Sequence, residues 1–328
     1  MDAKFVKNFL FPREVICAER LVNYGFCQAA RKFKNGSFAL LATNTIDLYD
    51  LDGRKIETSL EDVFVFQNGY RLQKKFALPF WFLLYPNGNV VFKAEKVEVC
   101  DDRLFALKAE GDRWNVYQFS VDDGALQFLM ECHADVVKLF RCKDSDDFVA
   151  VLQVGDNYLL QLRHGCHAAL CSELNAFRSF VPLWNGQFAV SQMNMRVKQF
   201  GEACLLIEAM RGGGFDLYDD RLKCCTENAA GLVLWANDMF LIHEKSEWKF
   251  FSADGKLLRD KIYHLTIYDA PDLKQCILFA RTENDERVVI RLKNNGWLHV
   301  TYGDEFKFWT PDGKSVDAQE GCYEPVWV

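Results

Sequence analysis

The chain has 328 residues, half of them hydrophobic and about a quarter charged, enough apolar surface for a large core and too much for a disordered polypeptide. Its formal charge of -7 and pI near 5.5 exclude a surface built to track phosphates, because a net-negative protein repels a polyanion unless its cations are segregated. No window holds the roughly eighteen consecutive apolar residues of a membrane span, and the apolar pieces near the N-terminus are broken by Lys7, Asn8, Arg13 and Glu14. The twelve cysteines are scattered through a long chain and read as reduced thiols. The expectation is a cytoplasmic protein with no membrane or nucleic-acid partner and no cofactor.

In chain order, the first elements are an apolar strand running into Phe33, the turn `KNG`, a strand `FALLA` ending at Ala42, a strand from Ile46 to Asp50, an Asp-Gly turn and a strand from Arg54. Alternation places Ile46 and Leu48 on one face and Asp47 and Tyr49 on the other. The pattern returns as `FQNGYRL` from Phe66, `CDDRLFALKA` from Cys100, `WNGQFAVS` from Trp184 and `WANDMFLI` from Trp235. Arg71 to Lys75, the nearest thing to a basic run, reads as a solvated loop. First strands lead into Phe33, Val63, Val97, Val137, Val181, Val233 and Leu265, in uneven steps of 30 to 52 residues. Residues 13 to 31 and Cys171 to Phe180 are the segments most open to a helical reading.

Each unit thus holds four short strands, with Asn-Gly or Asp-Gly supplying the positive φ that tight, two-residue hairpin turns require. Four strands per repeat is the composition of a propeller blade, and radial stacking hides the apolar face that a lone sheet would expose. The predicted fold is all-β: repeated four-stranded antiparallel units in a single domain over 1–328, as a seven-bladed β-propeller, the alternative being an open β-hairpin solenoid. The terminal hairpin `FKFWTPDGKSV` (Phe306 to Val316) is expected to pair with the N-terminal segment and close the ring.

The hairpins `KFFSADGKLL` and `KFWTPDGKSV` resemble the bacterial WG-type repeat in their aromatic strand, acidic-Gly turn and following lysine. The Trp-Gly pair of that repeat is absent, since Trp309 precedes Thr310 and Phe251 precedes Ser252. The resemblance implies β-repeat architecture and no catalytic residue.

The densest ligand-like cluster is `RHGCHAALC`, with His164, Cys166, His167 and Cys171. These are zinc-ligand types, and a strand would put His164 and Cys166 on one face, but the second ligand pair of a structural zinc site is missing unless Cys132 and His133 supply it. Asp50, Asp52 and Gly53 fit an Asp-Gly turn better than a calcium loop. `RGGGFDLYDD` from Arg211 lacks the Gly-Lys-Ser/Thr of a phosphate loop. Cys224 and Cys225 follow Lys223, which would lower a thiol pKa. No nucleophile motif stands out.

Most aromatics are expected in the core, with Trp184, Trp235, Trp248 and Trp309 as candidates for binding another protein. The sequence therefore points to a non-enzymatic, protein-binding scaffold whose acidic surface suits a basic protein partner. One version is an immunity-type neutraliser of a basic protein. The alternative is a hydrolase or lyase with its site in the propeller channel.

Overall fold

The computed structural model describes residues 29–270 except 43, 201–203, 211, 236, 237 and 239, and then 275–282, 287–291, 297–300, 306–309 and 315–317. The N-terminal segment, the C-terminal `YEPVWV` and the turn of the last hairpin lie outside the described residues. Among the described residues, regular structure is all strand but for a 3-10 turn at Gly165–His167, and no helix is long and apolar enough to cross a membrane. The strands fall into two compact units, one reaching to Gly155 and taking in Leu159–Glu173, the other made of Asp156–Tyr158 and the chain from Leu174 onward.

In the first unit, β1 (Ala29–Lys32), β2 (Phe38–Ala42), β3 (Thr45–Tyr49), β4 (Lys55–Val65), β5 (Arg71–Lys75), β6 (Trp81–Leu84) and β7 (Val90–Ala94) pair in chain order. This meander is two four-stranded units that share β4, whose early residues pair with β3 and whose later ones, from Leu60, pair with β5. Ser59, at φ 57°, marks the junction. A second sheet follows from β8 (Lys96–Val99), β9 (Leu104–Glu110), β10 (Arg113–Phe119) and β11 (Leu126–His133). A third comprises β12 (Val136–Arg141), β13 (Phe148–Val154), β14 (Asn157–His164) and β15 (Ala169–Phe177).

In the second unit, β16 (Ser179–Pro182) and β17 (Phe188–Ser191) are followed by a hairpin, β18 (Met195–Phe200) and β19 (Cys204–Ala209). The sheet then resumes with β20 (Phe215–Tyr218) and β21 (Cys224–Ala229), in the order β16-β17-β20-β21. The inserted hairpin pairs forward, through β19, with β22 (Gly231–Trp235). Next come β23 (Phe240–Glu244), β24 (Glu247–Phe251), β25 (Leu257–Ala270), β26 (Gln275–Thr282), β27 (Arg287–Arg291), β28 (Trp297–Val300), β29 (Phe306–Trp309) and β30 (Ser315–Asp317), each paired with the one before. Like β4, β25 is shared, pairing with β24 up to Ile262 and with β26 from there.

Every first-strand position expected from the sequence lies in or directly after a strand: Phe33 after β1, Val63 in β4, Val97 in β8, Val137 in β12, Val181 in β16, Val233 in β22 and Leu265 in β25. The longest step, Val181 to Val233, is the one that holds the inserted hairpin. Cys171 to Phe180 forms β15 and the start of β16 rather than a helix. Apart from Phe177 and Phe180 it holds no β-branched or aromatic residue, so pairing to adjacent strands weighs more in its conformation than local propensity.

The cores lie between consecutive four-stranded units. In β9, Phe105 and Leu107 pack with Phe66, Leu72 and Leu83, while Leu104 and Ala106 pack on the opposite side with Val137, Leu139 and Phe148. A strand buried on both faces reads as a continuous apolar run, which is why `LFAL` shows no alternation. Tyr49, on the face opposite Ile46 and Leu48 as the alternation places it, is buried as well, stacked on its cross-strand partner Phe38 at 5.1 Å and 7°.

The turns also differ from the two-residue form expected. In the Phe33–Ser37 loop the Phe33 N–H donates to the Ser37 carbonyl and the Gly36 N–H to the Phe33 carbonyl. The same pair of bonds recurs at Asp50–Arg54, Phe66–Tyr70, Tyr85–Asn89, Leu183–Gln187 and Ser252–Lys256. This is a three-residue loop closed by a left-handed glycine, with φ between 80° and 89° at Gly36, Gly53, Gly69, Gly88, Gly186 and Gly255. Asn35, Asn87 and Asn185 each accept the backbone N–H two residues on, and Asp50 accepts those of Asp52 and Arg54.

Candidate functional site

Loops joining first to second strands, and third to fourth strands, make one contiguous surface in the first unit. Lys34, in the loop after β1, pairs with Asp102 in the loop after β8. Leu51 sits beside Gly36, where an added Cβ would meet its side chain at 3.3 Å. Asn68 donates to the Gly124 carbonyl at 3.0 Å, joining the loops after β4 and β10. Tyr70 meets Tyr85, with centroids 5.3 Å apart. Arg103 pairs with Asp146, and Arg141 Nε donates to Asp101 Oδ2 at 2.8 Å. His164 Nδ1 lies 2.7 Å from Asp147 Oδ1, which brings in the turn after β14.

Two properties of this face are chemically informative. Its loops carry nine aspartates against four lysines and arginines, so the local charge is negative and favours a cationic partner. It also leaves Leu51 66%, Val121 70% and Tyr85 42% exposed, and apolar side chains set among polar turns are what a protein interface uses. Several aspartates are bound up in the fold. Burial pushes the Asp101 carboxyl up, but Arg141 and the N–H groups of Arg103 and Leu104 outweigh it and hold the group below its ordinary value. Asp147 accepts the Gly165 N–H at 3.1 Å as well as facing His164.

Along the first strands, Arg31 of β1 is buried, donates to the Val63 carbonyl at 3.4 Å and lies 5.0 Å and 5.4 Å from the ring centroids of Phe33 and Phe64. Burial pushes the neighbouring Asp62 up to about 7 despite the Val63 N–H and Arg31. Burial likewise raises Glu98, although Lys138 donates to it at 3.1 Å.

The residues singled out in sequence are dispersed. Trp184 is 42% exposed at the tip of the Leu183–Gln187 loop, in the second unit. The half-buried Trp248 stacks on His243 at 4.8 Å and 11° and covers Gly231, where a Cβ would stand 2.6 Å from its ring. Trp235 ends β22 opposite Cys204 and Trp309 lies in β29 opposite Trp297; their side chains are outside the described residues, as is that of Cys166.

His164 ends β14 and the chain turns at Gly165–His167, so His164 and Cys166 do not share a strand face. Left-handed Ala168, φ 45°, closes that turn. The exposed thiol of Cys171 points to the Ala169 carbonyl at 3.6 Å, and Cys132 is buried in the core while His133 faces Asp112 and Glu131. Among the described residues no three His, Cys, Asp or Glu converge as metal ligands. At Cys225, burial and Asp219 raise the thiol pKa and outweigh Lys223; burial and Asp216 raise that of Cys224. The activation expected from Lys223 is thereby overturned.

Sequence reasoning passed over Leu51, Tyr70, Tyr85 and Val121, although each flanks or occupies a Gly turn. The available signal was an aromatic or aliphatic side chain where a polar turn residue would serve.

No protein-family model and no curated protein sequence matches the chain. Among solved structures it is similar to the Dos1 propeller, at 12% identity over 84% of each chain and a TM-score of 0.35. It is similar to a eukaryotic initiation factor at 12% identity, covering 95% of this chain and 90% of that one, with a TM-score of 0.35. For Sqt1 of Saccharomyces cerevisiae the values are 11%, 79%, 93% and 0.31. Likeness at this level says nothing of function, and the class rests on the sheets themselves: an all-β repeat protein built from four-stranded antiparallel units of the propeller-blade type.

Proposed function

We propose that this chain is a non-enzymatic, cytoplasmic protein-binding scaffold that docks a basic protein on the loop face of its first unit. In this reading its repeats close as a seven-bladed propeller, and its Asp-Gly-Lys hairpins keep their kinship with WG-type repeats. The observation that carries it is the coincidence of exposed Leu51, Val121 and Tyr85 with an excess of aspartate on loops held together by direct contacts. Apolar anchors supply affinity and the surrounding charge steers the encounter. Neutralisation of a basic toxin, as by an immunity protein, is one use of such a face; Trp184, Trp235, Trp248 and Trp309 would add contacts elsewhere.

The test is capture of a partner from native lysate by the tagged chain, compared with a Leu51→Asp/Val121→Asp variant. A stoichiometric basic partner, released by salt and lost in the variant at unchanged melting temperature, supports the reading. A partner retained equally by the variant refutes it.

One observation favours the alternative of a hydrolase or lyase: Asp62 and Glu98, on the first strands of successive units, both have raised pKa values, as acid–base groups require. Turnover in a metabolite screen, abolished by Asp62→Asn, would establish it.

A further inference from the structure

We propose that Tyr70 and Tyr85 form a step that receives one cationic side chain, an arginine or lysine of the docked protein. The inference rests on the docking reading above and names its point of contact. Tyr70 closes the Phe66–Tyr70 loop and Tyr85 opens the Tyr85–Asn89 loop. The two loops are in contact, a Cβ at Gly69 standing 3.4 Å from Pro86, and the φ of 86° at Gly69 is what calls for glycine there. The rings stand 5.3 Å apart at 50°. Phe119 backs Tyr70 at 4.8 Å, which fixes the inner ring, while Tyr85 keeps its outer face in solvent.

Beside this step runs the Ser120–Ala125 loop, tied to Asn68 through the Gly124 carbonyl. It carries Asp122 and Asp123, both exposed, and the Ala125 N–H and Ser120 hold the Asp123 carboxyl below its ordinary value. The chain places its own cations over other rings, Arg31 over Phe33 and Phe64, Lys55 over Tyr49, and Lys93 over Phe80. Among the described residues none lies over Tyr70 or Tyr85, and none pairs with Asp122 or Asp123. Arg71, the nearest cation in sequence, has its guanidinium beside Gly88 of the Tyr85–Asn89 loop but over neither ring. A π face whose loop is tied to one carrying unneutralised carboxylates is a setting a guanidinium fits, by stacking and by charge.

The experiment is an NMR titration of the full chain, with ring-labelled tyrosine assigned through Tyr70→Phe and Tyr85→Phe. The probe is the peptide Gly-Arg-Gly-Arg-Gly-Arg amide and the control its citrulline counterpart, which keeps shape and loses charge. Shifts of the Tyr70 and Tyr85 signals are expected, with about tenfold weaker binding by the citrulline peptide and by an Asp122→Asn/Asp123→Asn variant. Tyr85→Ala should abolish the response, and Tyr85→Leu, which keeps apolar bulk, should do the same if the ring face is what binds. Unmoved tyrosine signals, or equal shifts with citrulline, overturn the inference. Docking on the loop face then still stands or falls on the Leu51 and Val121 capture experiment.

Discussion

Replacing Asp62 with Asn should stabilise the protein at alkaline pH and lose that advantage in acid. Asp62 pairs across strands with Lys74, but Lys74 donates to Glu61 at 2.7 Å. Burial therefore prevails over the Val63 N–H, at 2.8 Å, and over Arg31, and lifts the carboxyl from 3.8 to about 7. An acid whose folded pKa is raised binds its proton more tightly folded than unfolded. Its stabilising contribution is complete below the unfolded pKa and disappears as pH rises through about 7. At ~1.4 kcal/mol per pH unit, the interval from 3.8 corresponds to an upper bound of about 4 kcal/mol. Rearrangement of Arg31 toward the ionised carboxylate reduces it, so Asp62→Asn should gain roughly 1–3 kcal/mol at pH 8 and about a third of that at pH 5. Urea unfolding of both proteins at pH 5, 7 and 8 measures the difference. A variant as destabilised at pH 8 as at pH 5 would show that Asp62 is ionised and productively paired, contrary to this reasoning.

Gly231→Ala should destabilise by roughly 1–3 kcal/mol, because the new methyl collides with the Trp248 ring and approaches His243 Cβ at 3.4 Å. Gly231→Ala/Trp248→Ala should lose less than the two single changes added together, and strict additivity in urea titrations would contradict the contact. With iodoacetamide at pH 8, Cys225 should alkylate more slowly than a free peptide cysteine despite its exposure, since its thiol pKa is raised. Cys100 and Cys132, pushed up to about 12 and about 11, should stay unmodified until the chain unfolds. Mass mapping that finds Cys225 the faster thiol would reverse the electrostatic argument.

Strand starts were legible because turn chemistry is local. An aromatic or aliphatic residue followed two positions on by Asn-Gly carries within five residues the hydrogen bonds that close the loop at Phe33, Phe66, Tyr85 and Leu183. What a strand pairs with is not local. Nothing in Met195–Phe200 or Cys204–Ala209 says that this hairpin leaves the sheet of β17 and extends that of β22, where Ile207 meets Leu232. The lengthened repeat was its only trace.

The candidate face was less legible, for a related physical reason. Asp50 was read, correctly, as a turn former, and it and Asp101 each spend an oxygen on backbone N–H groups of their own loops. Loop closure and partner attraction therefore draw on the same residue type, and composition cannot separate them. The structure does, because Asp101 and Asp146 are also neutralised by Arg141 and Arg103, whereas Asp52, Asp122 and Asp144 are exposed and in no ion pair among the described residues. Attraction for a cationic partner is thus concentrated where Asp52 and Asp122 stand next to Leu51 and Val121, not spread evenly over every acidic turn.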